Sequence, residues 1–295
     1  MWYLKELGDY ELLDCSDGQR LERWGDYILI RPDPQVVWKG LRRDPRWKKA
    51  DAVYSRSTTG GGNWNENRLP ERWTCEISGL HFHVKPMGFK HTGVFPEQAA
   101  NWQWIEALCR RATERKKEVR VLNLFAYTGG ASLAAAKGGA AVCHVDAAKN
   151  MVHMAKENLA LSDMADAPCR FLVDDALKFV QREKRRGHRY DGIIMDPPSY
   201  GRGPKGEMWH LEDSIHELIR ETASILSPDP LFYLVNSYTT GLSGSAVSYL
   251  VNEEIVSRFG GKISCDELGL LVKSTGMCLP CGFATRWEKE EPFEF

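Results

Sequence analysis

Val121-Leu122-Asn123-Leu124-Phe125-Ala126-Tyr127-Thr128-Gly129-Gly130 runs from an apolar stretch straight into a turn, and that join decides the fold. Val121 to Phe125 reads as a buried strand, and the Thr-Gly-Gly turn leads into a helix of small residues, Ala131 to Lys137. Glycine there lets backbone approach a ligand at the carboxyl edge of a parallel sheet, because it has no Cβ. Outward from this join, strand and helix periods alternate. Helices are expected over 96–113, 130–137, 148–161, 176–186, 210–226 and 244–258, and strands over 119–125, 141–145, 169–173, 191–195 and 231–236. Two closing strands, 263–272 and 282–287, are joined through Ser274 to Pro280. The pattern predicts an α/β chain: a Rossmann-like, doubly wound, seven-stranded sheet with an antiparallel closing hairpin. Residues 1–92 differ in texture. Short alternating runs (Tyr27 to Ile30, Trp73 to Ile77, Leu80 to Lys85) are separated by Pro32-Asp33-Pro34 and Thr59-Gly60-Gly61-Gly62-Asn63, which predicts a small antiparallel β domain ahead of the 93–295 domain.

Acidic residues close three of the apolar runs. Asp146 follows Ala141 to Val145 and is placed to accept both hydroxyls of a ribose, since a carboxylate has lone pairs for two donors. Asp174-Asp175 follows the next strand. Asp175, with the backbone N–H of Ala176, is expected to meet an adenine while Asp174 caps the following helix, or the two aspartates exchange these roles. Asp196-Pro197-Pro198-Ser199-Tyr200 follows the fourth strand: the prolines stiffen the backbone, the Asp196 carboxylate and Pro197 carbonyl can accept from a planar amine, and Tyr200 can stack on its ring. Together these form the layout of an S-adenosyl-L-methionine pocket. A nicotinamide dinucleotide would need G-x-G-x-x-G under its pyrophosphate, which Tyr127-Thr128-Gly129-Gly130-Ala131-Ser132 lacks.

Composition sets the outer bounds. With 295 residues, 43% of them hydrophobic, the chain can bury one large core or a large and a small one. No run reaches the ~18 apolar residues of a membrane span, and Met1 to Glu6 lacks a signal-peptide pattern, so a cytoplasmic protein is expected. The net charge of −1 neither requires nor excludes nucleic acid. Arg42, Arg43, Arg46, Lys48 and Lys49 could contact phosphates, whereas Arg110-Arg111, Arg115-Lys116-Lys117 and Arg182, Lys184-Arg185-Arg186 end helices, where cations suit the dipole. The eight cysteines read as reduced thiols, and Cys278-Leu279-Pro280-Cys281, without a second metal-ligand pair, as a turn carrying incidental cysteines.

Leu122-Asn123-Leu124-Phe125-Ala126-Tyr127-Thr128-Gly129, Asp146-Ala147, Asp174-Asp175, Asp196-Pro197-Pro198-Ser199-Tyr200 and Lys90-His91-Thr92-Gly93-Val94-Phe95-Pro96-Glu97-Gln98 resemble the class I S-adenosylmethionine methyltransferases related to the bacterial large-subunit ribosomal RNA cytosine-C5 and guanine-N7 enzymes. The resemblance covers roughly residues 88–290. It implies that Thr92, Val94, Phe95 and Gln98 fold over the cofactor, and that Phe125, Tyr127, Thr128, Gly129, Asp146, Ala147, Asn158, Asp175, Ala176 and Asp196 also bind it. Asp196, Pro197 and Tyr200 are the expected catalytic residues.

Two departures bear on mechanism. Cytosine C5 needs a cysteine adduct to become nucleophilic, and relatives carry that cysteine after the fifth strand. Here the place reads Leu234-Val235-Asn236-Ser237-Tyr238-Thr239-Thr240-Gly241. Ser199 stands where relatives commonly have lysine. Direct transfer to nitrogen or oxygen by proximity is therefore expected. An RNA base, presumed ribosomal, would be flipped toward Tyr200, with the N-terminal cations and tryptophans such as Trp38 or Trp47 holding the strand. Trp24, Trp38, Trp47, Trp64 and Trp73 can equally form a core. Rival readings are methylation of a small molecule or protein side chain, and a non-catalytic RNA-binding protein that keeps the pocket.

Overall fold

The computed structural model describes residues 1–57, 61–115, 118–202, 208–239 and 241–289; Thr59, Gly60, Lys116, Lys117 and Thr240 lie outside the described residues. The chain forms two compact units. One holds residues 1–100 with 157–163 and 268–281, and the other holds 101–156, 164–267 and the residues from 282 on.

In the N-terminal unit, β1 (Tyr10–Ser16), β2 (Gln19–Trp24), β3 (Tyr27–Pro32), β4 (Ala52–Arg56) and β5 (Gly62–Asn65) make a sheet in that order. Asp17 (φ 56°) and Gly18 (φ 74°) close the first hairpin, the two-residue Asp-Gly turn whose twist matches its strands. The sheet is not wholly antiparallel as expected. β3 and β4 run parallel, Leu29 beside Ala52, because the residues between them cross over instead of turning back. β6 (Trp73–Ile77) and β7 (Leu80–Val84) form a separate hairpin. Residues from the far end of the sequence complete this unit: Gly269 N–H donates to Trp2 O (3.0 Å), Lys273 N–H to Leu12 O (2.9 Å) and Ser274 N–H to Leu13 O (3.0 Å).

The second unit follows the expected alternation. After α1 (Ala99–Arg115) come β8 (Arg120–Leu124), α2 (Gly130–Lys137), β9 (Ala141–Asp146), α3 (Lys149–Leu161), β10 (Cys169–Val173), α4 (Ala176–Arg186) and β11 (Gly192–Met195). A short hairpin, β12 (Tyr200–Arg202) and β13 (Met208–His210), precedes α5 (Leu211–Ala223) and β14 (Phe232–Ser237). Then α6 (Gly244–Val251), continued by a π-helical turn over Asn252–Val256, leads to β15 (Lys262–Leu271) and β16 (Cys278–Glu288). The seven-stranded order is β10-β9-β8-β11-β14-β16-β15, parallel from β10 to β14, with β16 antiparallel to β14. Leu122, Leu124, Val145, Ile193, Met195, Tyr233 and Val235 bury one sheet face against Phe179, Leu218 and Val247.

Cys278 to Cys281 begin β16 and are not a turn: Val272 and Met277 pair across a tighter turn with Gly276 at φ 70°. Pro280 is tolerated because pairing with β14 begins only at Phe283. The hairpin β12–β13 was not foreseen.

Candidate active site

Parallel strands β8, β9, β10 and β11 end on the same edge of their sheet, so the turns after them carry Phe125 to Gly129, Asp146, Asp175 and Asp196 to that edge. The first turn is strained. Phe125 (φ 55°) and Tyr127 (φ 49°) hold the left-handed region without being glycine, and Gly129 (φ 94°) caps α2. Three backbone bonds fix it: Ala126 N–H to Val145 O (3.1 Å), Gly129 N–H to Ala126 O (3.0 Å) and Tyr127 N–H to Asp146 Oδ2 (2.8 Å). The glycines also make room for protein, beyond the ligand approach read from the sequence. A Cβ on Gly129 would lie 3.0 Å from Ala155 Cβ, and one on Gly130 would lie 2.4 Å from the Trp102 ring.

Asp146 works on the backbone as well. Its Oδ1 accepts from Ala148 N–H (2.8 Å) while Oδ2 holds Tyr127 N–H. Each carboxylate oxygen has two lone pairs, so one remains on each for a vicinal diol, and the donor set fits a ribose. Ala147 lies between these two anchors.

The third turn resolves the aspartate pair. Asp175 is the N-cap of α4, its Oδ1 accepting from Lys178 N–H (2.9 Å), and Asp174 is bound by the Arg182 guanidinium and accepts from Asp175 N–H (2.8 Å). The cap is thus Asp175, because only its side chain reaches over the first helical turn. Ala176, buried at the first helical position, presents one of the N–H groups that a helix start leaves without an internal partner.

After β11, Asp196 N–H donates to Leu124 O (3.4 Å), tying the Asp-Pro-Pro turn to β8. Pro197 is buried, Pro198 O accepts from Trp209 Nε1 (2.9 Å), and Ser199 O from Leu211 N–H (3.1 Å). Tyr200, 50% exposed, packs edge-on to His210 across the hairpin with ring centroids 5.3 Å apart. Trp209 was missed in the sequence, although it braces the turn and lies 6.1 Å from the Phe125 ring. Its signal was an aromatic pair, Trp209-His210, opening a helix. Thr128 is buried in the first turn.

At the end of β14, Asn236 and Ser237 are buried where relatives carry cysteine. Asn236 Oδ1 accepts from Asn101 Nδ2 (3.0 Å), and Asn101 Oδ1 accepts from Arg286 Nε (2.9 Å) and Nη2 (2.7 Å). Burial pulls the Arg286 guanidinium down to about 9 despite Glu288 and Asp266, and its cation stands 5.0 Å from the Trp104 ring centroid. All eight cysteines are free. Burial pushes the thiols of Cys15, Cys143 and Cys169 up to about 11 and those of Cys75 and Cys109 up to about 12, against thiolate formation at neutral pH. Among the described residues, no group of His, Cys, Asp and Glu is arranged to hold a metal ion, and no helix is long and apolar enough to cross a membrane.

The remaining expected contact residues belong to the N-terminal unit. Thr92 is fully buried with an Oγ1 that has no hydrogen-bond partner; Val94 and Gln98 are buried, and Phe95 packs edge-on to His91 at 5.2 Å. Asn158 Oδ1 accepts from His83 N–H (2.9 Å), which fastens β7. Two of these tryptophans are core, Trp24 at 0% and Trp47 at 8% exposed, while Trp38, Trp64 and Trp73 are half-buried, Trp38 with its Nε1 donating to Cys15 O (2.7 Å).

Comparison with known proteins agrees with this geometry. The family of S-adenosylmethionine-dependent methyltransferases matches residues 53–242. The chain is 30% identical over 252 residues to ribosomal RNA large subunit methyltransferase K/L of Shewanella frigidimarina, covering 77% of this chain and 34% of that protein. It is 32% identical over 133 residues to ribosomal RNA large subunit methyltransferase I of an Enterobacter species, covering 44% of this chain and 32% of that protein. The chain therefore spans about a third of the length of these curated relatives. A solved SAM-dependent methyltransferase from Agrobacterium tumefaciens is 38% identical with a TM-score of 0.90, over 98% of this chain and 93% of that one. A Streptococcus mutans protein shares the fold at 19% identity and a TM-score of 0.72, over 96% and 76% of the two chains.

Proposed function

The chain belongs to the S-adenosylmethionine-dependent methyltransferase family, and from that premise we propose that it methylates a base of RNA, ribosomal in origin, by direct transfer without a cysteine adduct. The observation that carries the reading is the Asp196-Pro197-Pro198-Ser199-Tyr200 turn, held by Trp209 and Leu211 at the carboxyl end of β11. S-adenosyl-L-methionine supplies an electrophilic methyl group when bound. Asp146 accepts the two ribose hydroxyls, while Asp175 does both tasks that the sequence divided between the pair, capping α4 through Oδ1 and offering its other oxygen to the adenine amino group, with Ala176 N–H donating to the ring. Phe125, Tyr127, Thr128, Gly129 and Ala147 line the ligand. Asp196 and the Pro197 carbonyl accept from the acceptor amine and align it, the Asp196 carboxylate takes up the proton released on transfer, and Tyr200 stacks on the base. Support for direct transfer comes from Asn236 and Ser237, which occupy the end of β14. Support for an RNA acceptor comes from the two relatives named for ribosomal RNA.

Labelled-methyl transfer from the cofactor to total RNA, protein and small-molecule fractions tests the acceptor, and label outside the RNA fraction would remove it. On that acceptor, Asp196→Ala is expected to lower single-turnover rate by about 100-fold with cofactor affinity within about twofold of wild type. A near-normal rate would make the turn a structural wall. Loss of turnover in any one Cys→Ser variant, with folding and cofactor affinity intact, would overturn direct transfer.

A further inference from the structure

Six of the eleven residues from Lys39 to Lys49 are cations, against a single carboxylate, Asp44, in a chain whose net charge is −1. The backbone beneath them is pinned. Asp17 N–H donates to Trp38 O (2.9 Å), Gly40 N–H to Asp17 Oδ1 (2.8 Å) and Leu41 N–H to Ser16 Oγ (3.0 Å). The fully buried Asp14 accepts through one oxygen from Arg43 N–H (2.6 Å), Asp44 N–H (3.1 Å) and Trp47 Nε1 (2.8 Å).

The six cations divide by partner. Arg42 stands 4.5 Å from the Trp47 ring centroid and is paired with Asp17 (3.1 Å), and Arg46 forks onto Asp44 (2.9 and 2.6 Å). These two brace the loop. Lys39, Arg43, Lys48 and Lys49 are exposed and pair with no carboxylate among the described residues; Arg43 only returns a bond to Leu41 O (3.1 Å). Exposed Val37 and Leu41 lie among them in sequence, at 78% and 44% exposure.

We propose that Lys39, Arg43, Lys48 and Lys49 form a phosphate-binding platform by which the N-terminal unit holds an RNA strand through its backbone and not through its bases. The proposal rests on the RNA reading above. Cations displayed from a fixed backbone lose little loop entropy on binding, and a polyanion of regularly spaced phosphates can engage several at once. Base stacking on Trp47 is not the recognition mode here, since that ring is buried under Arg42, and Trp38 is half-buried. The platform therefore positions without selecting sequence, leaving the choice of base to the Asp196 turn.

Fluorescence anisotropy with a labelled, mixed-sequence, single-stranded RNA of about twenty nucleotides reads this directly. Four phosphate contacts predict a slope of about −3 for log K against log salt, and the quadruple alanine variant should lose most of that slope and at least about tenfold in affinity. Single Lys→Arg changes should retain both, and Arg185→Ala, on the other unit, should alter neither. An unchanged slope in the quadruple variant, with its melting temperature intact, overturns the platform. So does loss of binding to phosphatidylserine vesicles with RNA binding unaltered, which would assign the patch to a membrane surface. Methyl transfer to RNA by wild type separates the two readings: labelled RNA with an unchanged slope refutes the platform alone, whereas a lost slope with no RNA labelled upholds the platform and refutes the acceptor.

Discussion

Glu22 and His144 are both wholly buried, one in each unit, and their surroundings are opposite in kind: the first is ion-paired, while the second has a neutral hydrogen-bond neighbour at Nδ1 and, among the described residues, none at Nε2. Glu22 sits between Arg20 (3.2 Å) and Arg31 (2.5 and 2.7 Å), with the Tyr10 hydroxyl donating at 2.8 Å. Burial raises its carboxyl, but the two guanidiniums outweigh that and hold it down at about 2. His144 meets no ion at all. It shares a neutral chain in which Asn123 Nδ2 donates to Ser132 Oγ (2.9 Å), which lies 3.0 Å from His144 Nδ1, and burial alone pushes the imidazole down to about 3. At these two residues the β-rich unit encloses charge and compensates it, while the pair β8 and β9 encloses neutral polar groups; the second unit's own buried cation, Arg286, lies further along the sheet on β16. A small sheet with few apolar residues gains specificity from such pairs, and it becomes sensitive to losing one partner of them.

The largest expected effect follows from that sensitivity. Glu22→Ala leaves Arg31 buried without its carboxylate and Arg20 with Asp33 (3.5 Å) in place of two acidic partners, and should destabilise the N-terminal unit by about 3–5 kcal/mol in denaturant titration. A loss below about 1 kcal/mol would erase the contrast between the units. In the second unit the sensitive element is backbone. Gly129→Ala, at φ 94° and with a Cβ 3.0 Å from Ala155 Cβ, should cost about 2 kcal/mol, and wild-type stability would show that the turn relaxes freely.

Acid should sharpen the comparison. His144 is neutral in the fold, with a pKa below the ordinary 6.5, so its contribution is complete above about 6.5 and is lost as pH falls toward about 3, at up to ~1.4 kcal/mol per pH unit. Glu22 behaves differently in window: its contribution is complete above about 4.5 and falls away only toward about 2. Stability measured between pH 6.5 and 4.5 should therefore lose slope in His144→Asn, which keeps the part due to His91, lowered by burial to about 4, and should keep its full slope in Glu22→Gln. The reverse pattern would exchange the two roles. Smallest is the helix cap: Asp175→Ala should cost about 1 kcal/mol, read by thermal unfolding, and should weaken the cofactor where Asp174→Ala does not.

Legibility in the sequence divides along the same line. Val121 to Gly130 could be read because a strand buried on both faces is a continuous apolar run and the turn after it breaks that run with small residues. β1 and β2 could not, because Asp14, Arg20 and Glu22 sit at buried positions and destroy the alternation that marks a half-buried strand. The hairpin carrying Tyr200 and Trp209 was hidden for another reason: it is held by Trp209 Nε1 on Pro198 O, a contact between residues no local pattern joins. Asp174 and Asp175 were chemically equivalent in the sequence, and they are told apart by Lys178 N–H, which Asp175 caps, and by Arg182, which binds Asp174.

Asp14 Oδ1 accepts from Ser274 Oγ at 2.6 Å, across 260 positions of sequence, beside the backbone bonds from Lys273 and Ser274 to Leu12 and Leu13. That carboxylate also organises the platform loop from its other oxygen. During synthesis, residues 1–100 leave the ribosome first yet lack their neighbouring strand until residues 268–281 have been made. The β-rich unit therefore closes only after residues 101–267 have been made, and the carboxylate under the cationic loop gains its Ser274 bond only then.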